Sequence, residues 1–118
     1  MTTFAEIYTA AVNARRVAYD ALTLDPASEP LHDAHDAALR RVMRLDGLRI
    51  DAGKVAQHRV TGRAVLLIAT GADSTDVYAA LAEAGVPSHV LSVATPDTAE
   101  QADEIRAACS TYDVIGWP

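Results

Sequence analysis

Thr70-Gly71-Ala72-Asp73-Ser74-Thr75 is the stretch of this chain best suited to hold a ligand. It follows an apolar run and precedes a helical pattern, the junction at which open α/β sheets bind ligands because the helix amides point outward with positive partial charge. Gly71 allows close approach. The hydroxyls of Thr70, Ser74 and Thr75, joined by Thr95 from the end of the next strand, could grip a phosphate or carboxylate. Against this chemistry stand a lone glycine, the lack of a P-loop lysine, and Asp73 and Asp76, which repel an anion. The competing reading is a well-capped helix after a tight turn.

Three other groups have chemical potential. His32-Asp33-Ala34-His35-Asp36 places His32 and Asp36 one helical turn apart with His35 between, so two or three ligands could face a zinc ion, but no cysteine or third carboxylate is fixed nearby, so no metal is expected. Arg40, Arg41 and Arg44, with Arg49 beyond, lie on neighbouring turns and could follow a phosphate backbone. No tyrosine or tryptophan is interleaved to stack on bases, so a protein-facing or solvated surface is expected there rather than nucleic acid. Cys109 shares a helix face with Ala102 and Ile105 and reads as buried rather than nucleophilic. No nucleophile elbow or local triad spacing occurs, His58 and His89 have no assignable role, and no catalytic residue or cofactor is expected. Trp117, the only tryptophan, is expected to seal the sheet or enter a subunit contact.

The elements that must position these groups follow from caps and periodicity. Thr3-Phe4-Ala5-Glu6 matches a capping box, and Phe4, Ile7, Tyr8, Ala11, Ala14, Ala18 and Leu22 continue one apolar face to about Leu24. Two prolines break the chain at Pro26 and Pro30, and Ser28 can cap a second helix whose Leu31, His35, Ala38, Val42 and Leu45 face the first. Between Asp46 and Gly62 two glycines weaken the pattern, each costing a helix about 1 kcal/mol relative to alanine. A continued or broken helix is expected, with a strand over Val55 to Val60 as the rival. Ala64 to Thr70 is apolar without alternation, which predicts a central strand covered on both faces. Asp73 or Ser74 caps a helix with Val77, Leu81 and Ala84 inward, ended by Gly85-Val86-Pro87. His89 to Val93 is the next strand, Thr95-Pro96 opens the last helix, and Tyr112 to Trp117 closes the sheet.

The expected fold is therefore α/β: an N-terminal helical hairpin packed on a small three-stranded parallel sheet of β-α-β-α-β order, Rossmann-like. Residues 1–118 are expected to form one domain, with 1–62 as hairpin and connector and 63–118 as the β-α-β-α-β unit. Charge divides along the same line. Residues 1–63 carry nine bases and eight acids, whereas residues 64–118 carry eight acids and only Arg106, and together they give the net −6. That balance disfavours non-specific nucleic-acid binding. Twenty-four alanines and 5% aromatic residues imply close helix packing and a thin core. Nine arginines to one lysine suggest a GC-rich coding genome, that of a bacterium or a phage. A single cysteine, no signal-like N-terminus and no long apolar run predict a cytoplasmic protein without membrane contact.

The segment VLLIATGADSTDVYAALAEAGVPSHVLSVATPDTAEQ, Val65 to Gln101, is similar to the first β-α-β unit of the C-terminal domain of transketolase-like enzymes. The resemblance covers about a third of the chain and implies crossover topology. That domain is not the thiamine-binding part of the family, so no cofactor or catalytic residue carries over. The function expected is that of a small accessory protein acting by protein association, most simply a homodimer. The alternative is a binding domain or minor enzyme for an anionic ligand or nucleotide, with its site at the C-terminal edge of the sheet.

Overall fold

The computed structural model describes residues 2–58, 62–87, 89 and 91–116. Four helices and a three-stranded parallel sheet make up the described fold, in the order α1 (Phe4–Leu24), α2 (Glu29–Gln57), β1 (Val65–Ile68), α3 (Ser74–Glu83), β2 (Ser92–Ala94), α4 (Ala99–Ala108), β3 (Asp113–Ile115). The chain divides into two compact units, 1–47 and 48–118, with the division inside α2 at Gly47.

The first unit is a helical hairpin. Thr3 Oγ1 accepts from the Glu6 amide at 3.2 Å and fixes the start of α1, and Phe4 and Tyr8 stack one turn apart. Ser28 Oγ accepts from the Leu31 amide at 3.4 Å and opens α2. Tyr19 of α1 lies against His35 of α2, with ring centroids 5.8 Å apart. The buried apolar residues described in this unit are Phe4, Ala11, Val42 and Leu45. Its core is short.

In the second unit, α2 continues without a break through Gly53 to Gln57, so the helical expectation holds and residues 55–57 are not a strand. Burial of Leu48, Ala52 and Val55 on one face outweighs the poor helix propensity of the glycine. Three side-chain meetings fasten this half of α2. Arg49 pairs with Glu83 of α3 at 3.0 Å, Asp51 reaches Gly116 after β3, and His58 reaches Asp113 at the start of β3. Seven helical residues and three strand residues each span about 10 Å, so α2 runs antiparallel to β3.

The strand order is β2-β1-β3, with Leu66↔Ser92 and Leu66↔Val114 as central partners. On one face of β1, Leu66 and Ile68 pack with Ala102, Ile105 and Cys109 of α4 and with Tyr112, which agrees with the expected inner face of that helix. Leu67 points the other way and is also fully buried, so the centre strand is covered on both sides. After α3 the Val86 amide bonds Leu81 O and the Gly85 amide bonds Ala82 O, the paired bonds of a Schellman end.

Several expected boundaries move: β1 is Val65–Ile68 rather than Ala64 to Thr70, and β3 begins at Asp113 rather than Tyr112. β2 begins at Ser92 rather than His89 and extends to Ala94, because pairing with β1 starts only at Leu66↔Ser92. The cap of α4 is Thr98, not Thr95. Thr98 Oγ1 accepts from the Gln101 amide at 3.2 Å while Gln101 Oε1 accepts from the Asp97 amide at 2.9 Å, a reciprocal arrangement that leaves Thr95-Pro96 outside the helix. Trp117 and the end of the rival strand, residues 59–60, lie outside the described residues.

Candidate functional site

At the C-terminal edge of the sheet, the Ala69 amide bonds Ala94 O at 2.9 Å and the Gly71 amide bonds Pro96 O at 2.7 Å. These bonds draw the Thr70-Gly71 turn and the Thr95-Pro96 segment together, on either side of Thr95. Gly71 has φ +72°, a left-handed conformation that glycine adopts without steric penalty. Ser74 and Thr75 are exposed at the start of α3, and the Thr70 hydroxyl is buried with no hydrogen-bond partner.

The same bonds occupy the donors an anion would need. Gly71 spends its amide on Pro96, and Asp73 caps α3 by accepting from the Thr75 amide at 2.7 Å. Asp76, in the first turn of α3, is 5% exposed and is engaged within the protein. Two carboxylates thus stand at the helix start where an anion would sit, a placement the helix dipole itself favours.

Asp51 was not a candidate by sequence, yet its carboxylate reaches this edge of the sheet. A Cβ placed on Gly116 would lie 2.9 Å from Asp51 Oδ2 and 2.6 Å from Ile68 O. Burial raises the Asp51 pKa above the ordinary 3.8, and Lys54, 3.9 Å away, opposes that rise. The carboxylate lies beside Gly116, the residue after β3.

A second cluster lies at the opposite edge. Asp113 Oδ2 is 3.3 Å from His58 Nε2, which is buried and off the line of a hydrogen bond, and Asp113 Oδ1 is 3.3 Å from an Arg63 nitrogen. Arg63 also donates to the carbonyls of Ser110, Thr111 and Tyr112 at 2.7, 3.1 and 3.0 Å. The cluster clasps the α4–β3 turn to the approach to β1. It holds no nucleophile. Asp51 and His58 stand seven residues apart beside Leu48, Ala52 and Val55, a helical spacing that could have marked both as facing the sheet.

On the hairpin, the histidines are used locally. His32 Nε2 meets Pro26 O at 2.7 Å, closing the turn between helices, and His35 turns to Tyr19 with its Nδ1 3.9 Å from Asp36. Among the described residues no three His, Cys, Asp or Glu side chains are placed to hold a metal ion. Arg40 and Arg44 are exposed, Arg41 is half-buried and engaged, and Cys109 is half-buried against the α4 side of the sheet. No described helix is long and apolar enough to cross a membrane.

No family of known proteins, no curated protein and no solved structure matches this chain.

Proposed function

We propose that this is a small accessory protein that acts by protein association, as a homodimer formed through the helical hairpin, with no catalytic activity of its own. The observation that carries the reading is the contrast between the hairpin's inside and outside. Its described buried residues end with Ala11 on α1 and begin with Val42 on α2, while Val12, Val17, Tyr19, Leu24 and Met43 are 41–88% exposed. Two helices with so short a core are marginal alone, and apolar side chains gathered on a hairpin gain most by meeting another protein. The single cysteine suits a reducing compartment, so the reading includes a cytoplasmic location. Light scattering at tens of micromolar should give twice the 12.5 kDa chain mass. A monomer at every concentration would end the proposal.

A second reading rests on the strand order. Leaving β1 toward β2 and returning past it to β3 reverses direction, and right-handed crossovers would make the sheet Rossmann-like, with its switch point at the C-terminal ends of β1 and β3. Thr70, Gly71, Ser74 and Thr75 follow β1 and Thr95 follows β2 at the same C-terminal end of the sheet, where they would hold an anionic metabolite or nucleotide. A thermal-shift screen should then find a stabilising compound, since ligand at 100 times its dissociation constant adds about 2.7 kcal/mol. A shift that survives in Gly71→Val, or none with any compound, removes this reading.

A further inference from the structure

We infer that two copies pair through one face of the hairpin, with their α2 helices antiparallel about a two-fold axis; this rests on the self-association proposed above and specifies its surface. The Tyr19–His35 contact sets the register of α1 on α2. Val12 lies two turns before Tyr19 on the same side of α1, and Leu39 and Met43 follow His35 at four-residue steps along α2. Helical geometry thus gathers Val12, Tyr19, Leu39 and Met43 on one side of the hairpin. Val12, Tyr19 and Met43 are 41%, 55% and 62% exposed, and Leu39 is half-buried.

Size and charge both point to a second copy as the occupant. A face about 30 Å long and two helices wide offers about 600 Å² per copy, hence roughly 1,200 Å² for a pair, the lower bound of specific interfaces. From Glu29 to Arg44 along α2 the acids come first, Glu29, Asp33 and Asp36, and the bases later, Arg40, Arg41 and Arg44. A parallel copy would set like charge against like. An antiparallel copy centred near Ala38 sets Asp36 of each chain against Arg40 of the other, and the symmetry makes the pair twice. Asp36 and Arg40 are exposed, and Asp36 lies two turns from Met43 on the border of the apolar face.

Sedimentation velocity on the full chain tests the surface. Met43→Glu should weaken the dimer at least about tenfold, while Val17→Glu, on the other flank of α1, should leave it unchanged. Asp36→Arg and Arg40→Asp should each weaken self-association, because each confronts like charges across the two-fold. Mixing these two variants should restore a dimer of wild-type strength, since the all-basic chain then meets the all-acidic one. A local effect within either helix would not be repaired by mixing. If the dimer survives Met43→Glu, or the mixture is no tighter than its components, this surface is wrong while self-association stands. A monomeric wild-type chain overturns both.

Discussion

Gly116→Ala will lower the stability of the sheet unit by about 3 kcal/mol, roughly 10 °C or more in melting temperature. Gly116 has φ +77°, where any side chain is strained, and the added methyl carbon would stand 2.6 Å from Ile68 O, 2.9 Å from Asp51 Oδ2 and 3.1 Å from Leu67 Cδ1. The carboxylate can swing aside. The Ile68 carbonyl cannot, because it belongs to the central strand. Peeling β3 away would relieve the clash only by giving up the Leu67↔Ile115 pairing. The double variant Gly116→Ala, Asp51→Ala should therefore remain destabilised in urea unfolding, and full recovery in that background would show that the side chain, not the backbone, sets the constraint.

Replacing Arg63 tests the opposite edge. Arg63→Ala should cost about 2 kcal/mol even though the side chain is half exposed, because one guanidinium serves three carbonyls and the Asp113 carboxylate. Arg63→Lys should recover less than half of that loss. A single ammonium cannot reproduce a planar fork that reaches Ser110, Thr111 and Tyr112 together. Equilibrium unfolding with an unchanged denaturant slope is the measurement; a lysine variant as stable as the wild type would reduce the clasp to simple charge attraction.

The elements legible in the sequence are those defined by local chemistry. Thr3, Ser28 and Asp73 cap their helices as their types suggest, Gly85 ends α3, and the unbroken apolar run of β1 marks a strand buried on both faces. Thr95 and Thr98 show the limit of that approach, since both are plausible caps. Only the reciprocal bonds of Gln101 with Thr98 and Asp97 decide between them. The second half of α2 is ambiguous in sequence because its glycines speak against a helix locally, whereas the burial of Leu48, Ala52 and Val55 that favours one exists only in the folded chain. For the candidate site, the Thr70-Gly71 turn and its closeness to Thr95 could be anticipated from a strand-to-helix junction. The sheet-side neighbours of Asp51, His58 and Arg63 could not be assigned, because they lie 47 to 65 residues further along the chain.

Gly47 gives α2 a double membership. A boundary between units ordinarily falls in a loop, where the chain can be cut and each piece keeps its own backbone bonds. Here a cut at the boundary would strand up to four carbonyls on one side and four amides on the other, groups that satisfy each other in the intact helix. The boundary thus falls where no loop interrupts the backbone.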